Sequence, residues 1–65
     1  MKLTVNNIKN IDFANVTNED ITAFISSIST NFISWTYDYI NNTAIIEADN
    51  INIELLKEYG DIMEY

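Results

Sequence analysis

The sequence predicts an α+β fold with the element order β-α-β-β-α-β in a single domain over residues 1–65. Three observations predict it. In one segment, aromatic and polar residues alternate as in a half-buried strand. A second segment has apolar residues at the spacing of one helical face, and a third, shorter helical pattern ends at the chain's single glycine. A chain of this length can form one small core.

The first two elements are a strand over residues 2–5 and a helix over residues 18–30. Thr17 is a good N-cap for the helix, and Asp20 completes a capping box three residues later. The residues expected on its buried face are Ile21, Phe24, Ile25 and Ile28. Residues 6–16, which include Phe13, are expected to form an Asn-rich loop held in place by its apolar side chains.

A β-hairpin over residues 33–49 is the strongest local pattern. Its first strand, over residues 32–40, alternates polar residues with the aromatic residues Trp35, Tyr37 and Tyr39. Asn41 and Asn42 are expected to form a two-residue turn, because Asn tolerates the positive φ that such turns require.

The register of this hairpin decides which side chains face water. A two-residue turn places Tyr37 opposite Ile46 and makes the three aromatic residues part of the core. The opposite face then carries the carboxylates of Asp38, Glu47 and Asp49. A slip of one residue would bury those carboxylates, which is costly. We therefore expect one apolar face and one acidic, solvated face.

The second helix is expected to begin after Asn52, which can act as its N-cap. Gly60 is placed to end it as a C′ residue in the left-handed conformation. Residues 61–65 are then a last strand. The alternative is a helix that continues through Gly60 to the end, which the helical spacing of Ile62 and Met63 supports at a cost of about 1 kcal/mol relative to Ala at residue 60.

This element order is that of a ferredoxin-like split βαβ fold, with an antiparallel sheet and two helices on one face. Residues 33–65 resemble the heavy-metal-associated domains of copper chaperones, in which a hairpin precedes a short helix, a glycine and a last strand. The closest segment is Leu55-Leu56-Lys57-Glu58-Tyr59-Gly60-Asp61. That family binds metal through a Cys-x-x-Cys motif between the first strand and the first helix, and residues 7–12 contain no cysteine. The resemblance therefore implies the fold and carries over no metal ligand.

The residue types exclude several kinds of chemistry. The chain has no cysteine and no histidine, so it lacks the parts of Ser-His and Cys-His nucleophilic sites and of soft-metal sites. A calcium or magnesium site around Glu47, Asp49 and Asn50 lacks the glycine and the terminal glutamate of an EF-hand loop. We expect no enzyme and no cofactor. No apolar run is long enough to span a membrane and no signal-peptide pattern opens the chain, which favours a cytoplasmic location without a membrane partner.

Charge is the second strong feature of the sequence. Ten carboxylates stand against three lysines, which gives a formal net charge of −7. This charge argues against direct binding to nucleic acid and favours a basic protein partner. The candidate protein-binding residues of this acidic surface are Asp38, Glu47, Asp49, Glu54, Glu58 and Asp61.

The leading hypothesis is a small acidic, non-enzymatic binding module. In size and charge it is similar to phage inhibitors that act as DNA mimics on the nucleic-acid-binding surface of a partner. Three alternatives stay open: a surface that only keeps the chain in solution, a cysteine-less heavy-metal-associated-like domain that docks on a transporter or regulator, and a homodimer through the edge strand at residues 32–40.

Overall fold

The computed structural model describes residues 1–12 and 15–64 and places the elements in the predicted order. They are β1 (Lys2–Asn6), α1 (Asn18–Ser27), β2 (Thr30–Asp38), β3 (Thr43–Asp49), α2 (Ile53–Leu56) and β4 (Asp61–Glu64), with a 3-10 turn at Lys57–Tyr59. Neighbouring strands are antiparallel, in the order β2-β3-β1-β4. The predicted α+β class, with a four-stranded antiparallel sheet and two helices, is confirmed. Phe13 and Tyr65 lie outside the described residues.

One hydrophobic core lies between the helices and one face of the sheet. Its buried members are Leu3, Val5, Ile21, Ile25, Ile28, Ala44, Ile46, Ala48, Ile51 and Leu56. They come from β1, β3, both helices and, for Ile28 and Ile51, the segments next to the helices, so the two helices cover the same sheet face. Leu3 is completely buried on β1, which lies between β3 and β4. The centre of the core is therefore the middle of the sheet.

Helix α1 begins as the sequence predicts. The Asp20 amide donates to Thr17 Oγ1 at 3.1 Å and the Thr17 amide donates to Asp20 Oδ2 at 3.3 Å, which is a complete capping box. The predicted end at residue 30 is wrong, since the helix ends at Ser27. Ile28 leaves the helical conformation with φ −109° and ψ 10°, and β2 starts two residues later at Thr30.

The hairpin register differs from the prediction by two residues. Asp38 pairs with Thr43, so residues 39–42 form a four-residue connection in place of the predicted two-residue turn. The Asp38 carboxylate accepts from the Ile40 amide at 2.9 Å and the Asn41 amide at 3.3 Å, and this side-chain turn ends the strand early. Strand β2 therefore covers Thr30–Asp38 and not residues 32–40.

A shift of two residues preserves the two faces of the hairpin, because side chains alternate with a period of two. Trp35 faces Ile46 and Tyr37 faces Ala44, and both rings are half-buried against the core. Tyr39 lies beyond the end of β2 and is 75% exposed, so its predicted place in the core is wrong.

Asn52 caps α2 as predicted, with its Oδ1 accepting from the Leu55 amide at 3.4 Å. The last strand is also confirmed over Asp61–Glu64, and the alternative of a continuous helix is wrong. Gly60 does not adopt the left-handed helical conformation that we predict for it. Its φ of 156° and ψ of −168° lie in an extended region that is almost exclusive to glycine.

Asparagine supplies the positive φ angles of the turns and of the irregular part of β2. The described non-glycine residues with positive φ are Asn7, Asn10, Asn31, Asn42 and Asn50. Asn adopts this region more readily than other non-glycine residues because its short amide hydrogen-bonds locally. The chain has one glycine, so Asn takes the role that glycine has in most turns.

Candidate protein-binding surface

The second face of the sheet lies opposite the two helices. We call it the open face. Since side chains alternate along a strand, the strand registers identify its members as Lys2, Thr4, Asn6, Ser34, Thr36, Asp38, Thr43, Ile45, Glu47, Asp61 and Met63. Both helices pack on the other face, so they leave this surface of the sheet uncovered.

The middle of the open face is an uncharged row across all four strands. In spatial order its residues are Thr36, Ile45, Thr4 and Met63. Met63 is 63% exposed, whereas Ile45 and Thr4 are half-buried. The centre of this face therefore presents apolar and hydroxyl groups.

Carboxylates lie on both sides of that middle row. On one side, a row of residues runs across the four strands from Asp38 on β2 to Asp61 on β4. These two carboxylates are three strand spacings apart, which is roughly 14 Å. On the other side, Glu47 faces Ser34 on β2 and Lys2 on β1. Among the described residues, the open face thus carries three carboxylates and one lysine.

The six predicted binding residues divide between two sides of the molecule. Asp38, Glu47 and Asp61 share the open face. Asp49 ends β3 at the rim of that face, where its Oδ1 lies 3.6 Å from the N-terminal amine and its Oδ2 accepts from Asn31 Nδ2 at 3.1 Å. The remaining two residues lie on the helical side of the molecule.

Glu54 and Glu58 belong to α2 and the 3-10 turn that follows it. Glu54 forms an exposed ion pair with Lys57 at 3.1 Å. Glu58 contributes its backbone carbonyl, which accepts from Asn10 Nδ2 at 2.8 Å and so connects residue 10 to the end of the helical segment. These two carboxylates therefore lie on the helical side of the sheet, opposite the open face.

The sequence prediction missed the contribution of β1 to this surface. Lys2 and Thr4 alternate with the buried Leu3 and Val5, which is a clear two-residue period. That alternation indicates that β1 has one solvated face. It does not show that this face adjoins Glu47, because the pairing joins residues 45 positions apart and depends on the whole fold.

The Asp38 carboxylate, at the end of β2, accepts three hydrogen bonds from the residues of the following turn. The Asn41 side chain donates to Asp38 Oδ2 at 2.7 Å, and the Asn41 and Ile40 amides donate to Oδ1. The Asn41 side chain, followed by the Asn41 and Ile40 amides, lowers the pKa of Asp38 below its ordinary value of 3.8. Its charged form therefore stabilises the turn.

The pH dependence of the turn follows from that lowered pKa. The stabilisation is complete above the ordinary value of 3.8 and is lost as the pH falls through the lower folded-state pKa. We expect the Asp38 carboxyl carbon to titrate below 3.8 by NMR, and Asp38→Asn to remove the part of the acid-induced loss of stability that comes from this carboxylate. A midpoint at or above 3.8 would contradict the assignment.

Among residues 1–12 and 15–64, no group of three or more Asp or Glu side chains is arranged to hold a metal ion. In the same residues, no helix is long and apolar enough to cross a membrane. Comparisons with models of known protein families, with curated proteins and with solved structures find no match to this chain.

Proposed function

We propose that this chain is a small non-enzymatic module that binds a basic protein through its open face. The observation that supports this most strongly is the placement of Asp38, Glu47 and Asp61 on one sheet face that both helices leave uncovered. Asp49 lies at the rim of the same face, where the N-terminal amine 3.6 Å away offsets part of its charge.

The layout of the open face resembles that of a protein interface. Specific interfaces have a less charged centre and a polar rim. The uncharged middle row supplies the centre here, and the carboxylates on its two sides supply the rim. Rim charges mainly accelerate association and align the partner, and their effect weakens as salt rises.

The partner class follows from the net charge of −7. Such a chain repels phosphates and attracts basic protein surfaces, many of which bind nucleic acid. On such a surface the carboxylates of the open face would occupy positions that phosphates otherwise take. We therefore propose an inhibitor that competes with nucleic acid, as the small acidic DNA mimics of phages do.

We also propose that the elements assemble as a ferredoxin-like split βαβ fold. Two features support it: the element order, and the insertion of β3 between β1 and β2 in the sheet. This arrangement leaves one sheet face without helices, which is the face that the proposed function uses.

The binding proposal predicts that carboxylates of the open face matter more than those of the helical side. We expect the double variant Glu47→Gln/Asp61→Asn to weaken binding to a twelve-residue oligolysine about fivefold in low salt, since each exposed ion pair contributes about 0.2–1 kcal/mol. Isothermal titration calorimetry or fluorescence anisotropy with a labelled peptide measures this effect.

The matched control is Glu54→Gln/Glu58→Gln, which removes the same charge from the helical side. We expect a change of less than about twofold for this variant, and we expect the wild-type affinity to fall steadily as salt is raised. Equal losses in the two double variants would mean that only net charge matters, and this result would overturn the proposed site.

A further inference from the structure

The edge strand β2 is suited to pairing with another strand. It lies at the end of the sheet, and among the described residues its sheet neighbour is β3. Proteins protect such edges with lysine, proline or inward charges. Strand β2 contains neither lysine nor proline, and its one charged residue is Asp38 at the last position. A register irregularity between Thr30 and Ser34 leaves residues 34–38 as the regular part of the edge.

Large apolar side chains are exposed at both ends of that regular part. Ile33 is 60% exposed just before it, and Tyr39 is 75% exposed just after it. The Tyr39 ring packs edge-on against Tyr37 with a centroid distance of 4.6 Å, so it is held beside the strand. An open groove of 620 Å³ borders this edge between β2 and α1, and none of the residues that line it is charged.

We propose that two copies of this chain form a symmetric dimer by antiparallel pairing of β2 with β2. Directly opposite residues in an antiparallel pair point to the same face, so the two-fold axis must pass midway between the two copies of one residue. With Thr36 on the axis, Ile33 lies opposite Tyr39 of the second copy, and Ser34 lies opposite its Asp38. This register covers both exposed apolar side chains and gives each Asp38 carboxylate a hydroxyl donor.

The self-complementary register, and not charge, favours a second copy as the occupant. Two chains of net charge −7 repel each other overall, but β2 carries one of the ten carboxylates. The two Asp38 residues lie four positions apart along the paired strands, roughly 14 Å, which exceeds the screening length of about 8 Å at physiological salt. Asp38 lies opposite Ser34 of the second copy, which pairs with Glu47 of that copy, so these like charges lie roughly 10 Å apart and repel each other at low salt.

The dimer would have two consequences for the surface described above. Its two sheets would join into one of eight strands, and a two-fold axis normal to the sheet places both open faces on the same side. In addition, salt should strengthen the dimer, because salt screens the repulsion between the copies. Binding of a basic partner should weaken under the same conditions, so the dimer and the proposed function can fail independently.

Oligomeric state tests the dimer directly. At about 100 μM chain and about 0.5 M salt, we expect light scattering after gel filtration to give about twice the 7.5 kDa of one chain. Thr36→Lys and Thr36→Glu should each be monomeric, because like charges then meet on the axis, and an equimolar mixture of the two should form a heterodimer. Thr4→Lys, in the same row of the open face but on β1, should stay dimeric.

A cysteine pair tests the register, since the chain has no cysteine of its own. Thr36→Cys should form a disulfide-linked dimer on mild oxidation, because opposite residues bring their Cα atoms to about 5 Å. Ser34→Cys should not, because the two copies of residue 34 would lie roughly 14 Å apart. A wild-type mass of 7.5 kDa at about 500 μM, or linkage through residue 34 in place of residue 36, would overturn the proposal.

Discussion

Replacing Leu3 with Ala should lower the free energy of unfolding by about 3–4 kcal/mol. Leu3 is completely buried on the central strand β1, in contact with the core that both helices share. The truncation removes apolar contacts and leaves a cavity at the most enclosed point of the molecule. Urea denaturation, followed through the fluorescence of the chain's single tryptophan, measures the loss.

The chain offers a matched control for this substitution. Leu55 is 45% exposed on α2, so Leu55→Ala should cost less than about 1 kcal/mol. A domain of this size has only several kcal/mol of stability in total, and Leu3→Ala could leave it largely unfolded at room temperature. Similar costs for the two variants would contradict the placement of the core.

Replacing Gly60 with Ala should destabilise the fold by about 3 kcal/mol. A Cβ at residue 60 would lie 2.6 Å from the Asn6 carbonyl oxygen and 2.9 Å from Val5 Cγ1. The first contact is with backbone on a central strand, which cannot move without disturbing the pairing of β1 with β4. The φ of 156° adds strain for any residue with a side chain.

Thermal and urea denaturation of Gly60→Ala measure this cost, with Ser26→Ala on the exposed surface of α1 as the control for adding an alanine. We expect the control to change stability by less than about 0.5 kcal/mol. If Gly60→Ala were as stable as the wild type, the close approach of residue 60 to β1 would be wrong.

Local patterns predicted the elements of this protein well. The capping box of α1 involves residues three positions apart, and the N-cap of α2 is equally local, so both could be found in the sequence. The sequence predicts correctly that Gly60 follows the second helix, but the predicted left-handed helical conformation is wrong. What requires glycine there is the approach of Asn6 and Val5, which are more than 50 positions away in the chain.

The hairpin shows where local patterns were insufficient. Asn41 and Asn42 predict a two-residue turn, but Asp38 accepts from the Ile40 and Asn41 amides and ends the strand two residues earlier. The prediction that Asp38 and Glu47 share one face of the hairpin is confirmed, because a register shift of two residues leaves each side chain on the same face. The prediction that Tyr39 lies in the core is wrong because β2 ends at Asp38, one residue before Tyr39.

Which residues share the open face depends on the pairing of β1 with β3 and β4, and local sequence patterns do not reveal this pairing. Glu47 adjoins Lys2, and Asp61 joins the same face because β4 pairs with β1. Glu54 and Glu58 were grouped with them by charge alone, and the fold places them on the opposite side. The structure therefore places three of the six predicted binding residues on one sheet face with an uncharged centre.

The most direct test of the account is to locate a basic ligand on this surface. Amide NMR spectra of the chain titrated with the twelve-residue oligolysine at low salt measure which residues respond. The account predicts the largest shift changes along the open face, at residues near Asp38, Glu47 and Asp61, and their disappearance at high salt. Changes concentrated around Glu54 and Glu58, or spread evenly over all carboxylates, would contradict it.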